Sequence, residues 1–194
     1  DEEQKKKYFY TKSDITDKEL NDCKKLIKIM GYQVIESPQE ADAQLAFLSK
    51  KNLIQYIVSD DMDILLFGGD ILLKKFSVAT NKKIQEINLE ILKKNLNFSQ
   101  HDLIKLGVLL GSDYCDNSPM SINKAYKILK NIEESNIEIE CNKAIKYFKK
   151  PIVEEVKYID DEKKVNIKEL YNFLKEEHNF SDNYINNIIS KISD

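Results

Sequence analysis

Clustered carboxylates are the residues of this chain whose type and spacing could support chemistry. The clusters are Glu40 with Asp42, Asp61 with Asp63, and Asp113. The second and third follow apolar segments, which places them at the rim of the core, where repulsion and desolvation are costly. Carboxylates that converge on one point need cations to neutralise them, and oxygen-only ligands select Mg²⁺ or Mn²⁺ over zinc. Two such ions about 3.5–4 Å apart can activate water and stabilise the leaving oxygen in phosphodiester hydrolysis.

The same acids also have a structural explanation, and the residues alone leave it open. Glu40 could complete a capping box begun by Ser37, and acids in a first helical turn complement the helix dipole. Residues 60–63 could form an ordinary strand-to-helix turn with an aspartate as its cap. Because short motifs match by chance, the isolated motifs favour this structural explanation by about two to one.

The basic residues indicate diffuse attraction to phosphate. All 30 of them are lysine, which lacks the two-pronged contact by which arginine reads a base. The net charge of −3 is unevenly spread: residues 31–70 carry seven acids against two lysines, and residues 121–150 carry seven lysines against four glutamates. An acidic centre beside a basic flank suits a metal-dependent enzyme that acts on polyphosphate. The lysines of residues 124–150 are equally spaced like the solvated side of helices.

Other catalytic chemistries find little support. The chain has two histidines, His101 and His178, and it lacks the Gly-x-Ser-x-Gly, Gly-x-Gly-x-x-Gly and P-loop patterns. Three cysteines without paired spacing argue against a zinc site or disulfide scaffold and fit a reducing intracellular compartment. The apolar runs are too short to cross a bilayer, so no membrane partner is expected.

Alternating helices and strands are predicted to position the acids. A capping box at Thr16 starts a helix, a strand follows over 32–36, and Ser37 caps the next helix. Further strands are predicted over 55–59 and 71–76, so parallel pairing with a right-handed crossover places the acids at the carboxyl ends of strands. Later helices are predicted over 87–96, 99–110, 121–130, 167–174 and 185–192.

Three motifs stand in order along the chain. They are Ser-Pro-Gln-Glu-Ala-Asp-Ala-Gln at 37–44, Ser-Asp-Asp-Met-Asp at 59–63 with Leu-Phe-Gly at 66–68, and Leu-Leu-Gly-Ser-Asp-Tyr-Cys at 109–115. Together they closely resemble the I region of the flap endonuclease / XPG / exonuclease-1 family of structure-specific 5′ nucleases. The likeness runs from about residue 8 to the end, and the C-terminal helices look most like those of flap endonucleases. Three motifs in the right order outweigh the structural explanation.

The resemblance implies a fold and a domain plan. The fold is α/β, a partial PIN-like three-layer α/β/α arrangement with a central, mostly parallel sheet. A helix–two-turn–helix-like element and C-terminal helices follow. Residues 1–194 are expected to form a single domain, in which residues of about 14–115 carry the metal site and residues of about 116–194 bind DNA.

The resemblance also implies roles for the acids. Glu40, Asp42, Asp61, Asp63 and Asp113 match residues that hold two Mg²⁺ ions, for which Mn²⁺ could substitute. These ions hydrolyse DNA near a 5′ flap or at a 5′ end during replication and repair, which implies a nuclear protein. Asp42 is one methylene shorter than the glutamate of flap endonucleases, but the exonuclease branch carries aspartate there. Asp60 is expected to support the ligands rather than bind metal.

Three departures from the family pattern are visible. The N-terminal half of the nuclease core is missing, so this chain alone is expected to cleave weakly or not at all and to leave a sheet edge that this half would pair. Residues 117–125 lack the Gly-x-Gly turn that binds K⁺ and a phosphate, although Lys124 and Lys127 can still contact DNA. No sliding-clamp motif is present, so a clamp could bind only through segments outside this chain.

Two rival interpretations remain. The lost Gly-x-Gly turn favours a catalytically degenerate module that binds nucleic acid or protein, whereas the intact acid set argues against it. An RNA-cutting nuclease of the related PIN type is less favoured, because Gly-Ser-Asp-Tyr and the C-terminal helices resemble the DNA-acting branch.

Overall fold

The computed structural model of the chain describes residues 15–77, 83–112, 114–115, 118–130, 142–159 and 164–193. The elements in these ranges are, in order, α1 (Asp17–Ile29), α2 (Ala41–Lys50), β1 (Ile57–Val58), α3 (Asp63–Leu66), β2 (Ile71–Lys74), β3 (Gln85–Asn88), α4 (Leu89–Leu96), α5 (Gln100–Leu110), α6 (Ile122–Leu129), α7 (Asn142–Lys149), α8 (Ile167–Asn172) and α9 (Asp182–Ser193). A π-helical turn, Phe173–Glu177, continues α8. No helix in the described ranges is long and apolar enough to span a membrane.

The chain divides into two compact units. The helical unit comprises Asp1–Ile35 and Asp160–Asp194, and the α/β unit comprises Glu36–Ile159. Each unit has its own hydrophobic core. The helical unit therefore combines the two ends of the chain, and every acid discussed as a candidate ligand belongs to the α/β unit.

In the helical unit, α1 begins as the sequence predicts. The Thr16 hydroxyl accepts a hydrogen bond from the Glu19 backbone N–H, and the Glu19 carboxylate accepts one from the Thr16 backbone N–H, which completes a capping box. Ile29 at the end of α1 is buried with apolar residues of α8 and α9, including Leu170 and Ile185. The apolar stripe of α1 thus covers the C-terminal helices.

A small mixed sheet lies at the centre of the α/β unit. Its strand order is β1-β2-β3, with β1 parallel to β2 and β2 antiparallel to β3. Ile57 of β1 faces Leu72 of β2, and both are buried, at 1% and 0% exposure. Val58, on the other side of β1, is 53% exposed. One face of the sheet therefore packs in the core, and the other face carries exposed apolar surface at the edge strand.

The sequence predictions hold for most elements, but they miss α7 and fail for two strands. Strands form within the predicted ranges 55–59 and 71–76, but β3 was not predicted. Residues 32–36 were predicted as a strand, and the described part of the chain contains no strand there. A strand needs ladder hydrogen bonds from a neighbour, and a sequence pattern does not reveal whether that neighbour exists. The fold is the expected partial PIN-like α/β arrangement, with one parallel and one antiparallel strand pair.

Candidate active site

Glu40 is the N-cap residue of α2, and its side chain makes no capping hydrogen bond. The prediction that Ser37 caps this helix was wrong: its hydroxyl donates to the Gln39 carbonyl over 2.9 Å, and α2 begins at Ala41. Proline at position 38 keeps the preceding backbone extended and delays the helix. The capping-box explanation of Glu40 therefore fails. Its carboxylate, together with Asp42 in the first turn, is available for another role.

The second acid segment forms a tight turn between β1 and α3. The Ser59 hydroxyl accepts from the Asp61 backbone N–H over 3.0 Å, and the Asp61 carboxylate accepts from the Asp63 backbone N–H over 2.9 Å. Asp60 turns away and accepts from the Lys75 backbone N–H over 3.0 Å. No aspartate caps α3, whose N-cap residue is Met62 without a side-chain hydrogen bond; the Asp60 carboxylate instead ties the turn to the end of β2. Asp61 keeps its second carboxylate oxygen outside these turn bonds.

Carboxylates from the two segments act on one another. The pKa of Asp42 is raised above its ordinary value by burial and then by the negative charges of Asp61 and Glu40. The Tyr114 hydroxyl hydrogen-bonds Glu40, and burial together with the charges of Glu40 and Asp63 holds the pKa of Tyr114 well above its usual range. The structure thus brings together acids that are separated by some twenty residues in the sequence.

Aromatic side chains form a wall beside these acids. The rings of Tyr114 and Tyr147 lie 4.5 Å apart, and Phe148 packs against Tyr114 at 5.4 Å. The Tyr147 hydroxyl is hydrogen-bonded to Tyr114, and burial and the charge of Glu40 raise the pKa of Tyr147. Tyr114 lies within the Gly-Ser-Asp-Tyr motif, but no role was predicted for it from the sequence. Tyr147 carries no sequence signal, because only folding brings α7 to this place.

The donor chemistry fits a hard divalent cation. The side chains that face one another offer carboxylate oxygens, which suit Mg²⁺ or Mn²⁺. Among the residues that the structure describes, no three His, Cys, Asp or Glu side chains lie close enough to share one metal ion. Asp113, the fifth predicted ligand, lies outside the described residues. The roles of Glu40, Asp42, Asp61, Asp63 and Asp113 as catalytic metal ligands therefore stay a prediction.

Neutral hydrogen bonds hold the helix that carries Asp42. The Gln44 side chain is 3% exposed, donates to the Glu154 carbonyl over 3.0 Å and accepts from the Glu154 N–H over 2.7 Å. At the other end of α2, the buried Ser49 hydroxyl accepts from the Asp70 backbone N–H over 3.2 Å. These bonds attach α2 to the segment after α7 and to the start of β2. The position of Asp42 is fixed by buried contacts on both sides.

The predicted DNA-contacting lysines lie on α6. Lys124 and Lys127 are exposed, on the side opposite the buried Ala125. The next lysine along, Lys130, has a structural role: its amine donates to the Asn97 carbonyl over 3.1 Å and lies 4.6 Å from the centre of the Phe98 ring. Contact of Lys124 and Lys127 with DNA stays a prediction.

Comparison with known proteins supports the same assignment. Residues 31–113 match the family model of the XPG I-region. The chain is 34% identical over 190 residues to flap endonuclease 1 of Theileria parva, which covers 90% of this chain and 38% of that protein. The chain thus spans well under half the length of this relative.

Solved structures share the fold. The catalytic core of Rad2 in complex with DNA substrate superposes with a TM-score of 0.77 at 20% identity, over 98% of this chain and 73% of that one. Flap endonuclease-1 from Methanococcus jannaschii gives 0.74 at 24% identity, over 98% and 62%. The Holliday junction-resolving enzyme GEN1, solved with product DNA and a Mg²⁺ ion, gives 0.65 at 18% identity, over 80% and 51%. The ordered acid motifs, the XPG I-region match and the 34% identity to flap endonuclease 1 over 90% of the chain identify this chain as similar to the flap endonuclease/XPG family.

Proposed function

We propose that this chain is the C-terminal part of the catalytic core of a metal-dependent, structure-specific 5′ nuclease that hydrolyses DNA near a 5′ flap or at a 5′ end. The observation that carries the proposal is the negative charge of Glu40 and Asp61 acting on the partly buried Asp42, inside a fold shared with Rad2 and flap endonuclease-1. Like charges held together against burial are costly unless a ligand compensates them. A role in DNA replication and repair, and a nuclear location, are parts of the same proposal.

The chain's own residues have distinct parts in this chemistry. Glu40, Asp42, Asp61, Asp63 and Asp113 would hold two Mg²⁺ ions, with Mn²⁺ as a possible substitute. When bound, such ions lower the pKa of water and stabilise charge on the leaving oxygen. Tyr114 orients Glu40 through its hydroxyl hydrogen bond. Asp60 holds the turn that presents Asp61, through its bond to the Lys75 N–H.

The exposed edge of the sheet supports the need for a partner segment. Tyr56 and Val58 are 50% and 53% exposed on either side of the buried Ile57. Edge strands with apolar surface bind further strands readily. We propose that the N-terminal half of the nuclease core covers this edge, and that the chain alone cleaves weakly or not at all. Lys124 and Lys127 would contact the DNA.

Two measurements on the chain test this proposal. The first is thermal unfolding with and without Mn²⁺ or Mg²⁺. At free metal ten times the dissociation constant, binding stabilises the chain by about 1.4 kcal/mol, which raises the midpoint by about 3–6 °C. The second is cleavage of a 5′-flap DNA by the chain alone and by the chain mixed with the N-terminal part of the Theileria parva relative.

The expected results are a midpoint shift that Asp61→Asn removes and cleavage that appears or increases in the mixture. Cleavage at the base of the flap, with little cutting of a matched linear duplex, is the expected specificity. A parent chain that shows neither a metal-dependent shift nor cleavage in either sample contradicts the proposal. A shift that persists undiminished in Asp61→Asn contradicts the assignment of the ligands.

A second candidate function is a degenerate binding module. The missing glycines of residues 117–125 favour it, since close backbone approach to phosphate needs residues without side chains. This candidate expects DNA binding without metal stabilisation and without cleavage in the mixed sample. It also expects Asp→Asn changes at Asp61 and Asp63 to leave every measured activity unchanged.

A further inference from the structure

Helix α7 presents a basic surface that the assignments above leave unused. Lys143, Lys146 and Lys149 are exposed along α7, and Lys150 directly follows it. On its other side, Ala144, Ile145 and Phe148 are buried in the core of the α/β unit. The helix contains no acidic residue. We refer to the four lysines at positions 143, 146, 149 and 150, with Tyr147, as the α7 lysine surface.

The α7 lysine surface is concave. Its five residues line an open depression of about 540 Å³. Lys143 and Lys146 lie on one face of α7, and Lys150, whose N–H bonds the Lys146 carbonyl just past the helix end, continues that face. No ion pair joins any of the four lysines to an acid within the described residues. Positive charge of this kind attracts a chain of phosphates, to which lysine binds as a point charge.

Tyr147 connects this surface to the candidate active site. It lines the depression, and its ring centre lies 4.5 Å from that of Tyr114, with the two rings tilted by 37°. The hydroxyl of Tyr114 in turn hydrogen-bonds Glu40. Tyr147 and Tyr114 therefore connect the α7 lysine surface to Glu40. This closeness favours a nucleic acid over other polyanions, because the neighbouring carboxylates belong to a nuclease fold.

We propose that the α7 lysine surface binds the sugar–phosphate backbone of DNA next to the carboxylate site, an inference that rests on the proposed function. The competing explanation is that these lysines only solvate the outer side of a helix. The two differ in a measurable way. A solvating face contributes no more to DNA affinity than any other set of exposed lysines, whereas a binding surface contributes at its own positions.

The test compares two triple variants of equal charge. Lys143→Gln/Lys146→Gln/Lys150→Gln removes the shared face, and a control triple removes three exposed lysines of the helical unit. The control substitutions are Lys18→Gln, Lys28→Gln and Lys168→Gln. Binding of a fluorescent 5′-flap DNA is followed by anisotropy in EDTA, which prevents cleavage, between 50 and 200 mM NaCl.

The α7 triple is expected to weaken binding at least about tenfold at low salt and to lower the slope of log K against log[salt] by about 2–3, near 0.9 per phosphate lost. The control triple should lower this slope by less than about 1. Equal effects of the two triples overturn the proposal, as does a parent chain that does not bind the DNA at 50 mM NaCl. Equal competition by a lipid vesicle rich in phosphatidylserine overturns the choice of DNA.

The same experiment distinguishes loss of DNA binding from unfolding of the variant, and this proposal from the proposed nuclease activity. If the α7 triple unfolds early, Lys150→Gln alone, outside the helix, must still lower the slope by about 1. Loss of binding in the α7 triple, together with no cleavage by any sample, supports this surface and contradicts the proposed nuclease. Cleavage by the mixed sample, together with parent-like binding by the α7 triple, contradicts this surface alone.

Discussion

Asp182 in the helical unit and Asp42 in the α/β unit are both aspartates in the first turn of a helix, but their surroundings differ. Asp182 accepts from the Tyr171 hydroxyl over 2.6 Å and pairs with the Lys175 amine at 2.9 Å. These hydrogen bonds lower the pKa of Asp182. Asp42 is partly buried and faces Asp61 and Glu40, which raise its pKa.

The two aspartates differ in whether a neighbouring cation or hydrogen-bond donor compensates their negative charge. Other acids of the helical unit are also neutralised, such as Glu177, which pairs with Lys25 at 2.5 Å. Acids that only support a fold are expected to be paired or solvated, since an unpaired buried charge is costly. The proposed cation site would compensate the electrostatic cost around Asp42.

The largest expected effect comes from neutralising the acids after β1. In the mixed sample, Asp61→Asn or Asp63→Asn should reduce flap cleavage by about 10³-fold, because metal ligands supply several kcal/mol of transition-state stabilisation. Asp182→Asn, the same change in the helical unit, should leave the rate unchanged. Cleavage rates under single-turnover conditions measure both. Equal losses in the two regions would remove the distinction between them.

The second prediction concerns the stability that the fold gains from the hydrogen bonds between α2 and Glu154. Gln44→Leu leaves the N–H and carbonyl of Glu154 without their partner, so it should lower the free energy of unfolding by about 1–3 kcal/mol in urea titrations. Gln55→Leu is the matched control, because Gln55 is exposed. If Gln44→Leu is as stable as Gln55→Leu, the placement of Asp42 does not depend on this buried amide.

The sequence predicts elements whose determinants are local. Thr16 and Ser99 each begin a helix with a full capping box, as short-range chemistry dictates. Ser37 shows the limit of that reasoning, because the residues after it, rather than the cap itself, decide where α2 begins. Residues 32–36 and β3 show a second limit, since pairing with a distant strand decides both.

In the candidate site too, some residues could be predicted from local motifs and others depend on tertiary packing. Glu40, Asp42, Asp61 and Asp63 were predicted from ordered motifs, and the charge of Asp61 acts on Asp42, but their meeting as metal ligands stays a prediction. Tyr147 could not be predicted, because its place beside the acids depends on how α7 packs. Asp113 lies outside the described residues, so its predicted place among the acids is untested.

The pH dependence of stability should have opposite signs in the two regions. Because the pKa of Asp42 is raised, its ionised form destabilises the fold. This destabilisation is absent below the ordinary pKa of 3.8 and develops as the pH rises through the raised pKa. Asp42→Asn should therefore unfold at a higher temperature than the parent at pH 7 without metal, and the difference should vanish near pH 3.

Asp182→Asn is expected to behave in the opposite way. Because the pKa of Asp182 is lowered, its ionised form stabilises the fold. This stabilisation is complete above pH 3.8 and is lost as the pH falls through the lowered pKa. The variant should therefore unfold slightly earlier than the parent at pH 7 and match it at low pH. Melting curves from pH 3 to pH 8 measure both variants. A destabilised Asp42→Asn at pH 7 without metal would show that Asp42 is paired like Asp182.

The smallest effect on cleavage is expected when one tyrosine hydroxyl is removed in each region. Tyr114→Phe takes away the hydrogen bond to Glu40 and should lower cleavage in the mixed sample by about two- to tenfold, the value of a single hydrogen bond. Tyr171→Phe takes away the bond to Asp182 and should leave cleavage unchanged. Because both substitutions keep the ring, packing is preserved and the melting temperatures should stay close to the parent's. If Tyr114→Phe cleaves at the parental rate, Glu40 is oriented by other contacts and the hydroxyl has no part in the site.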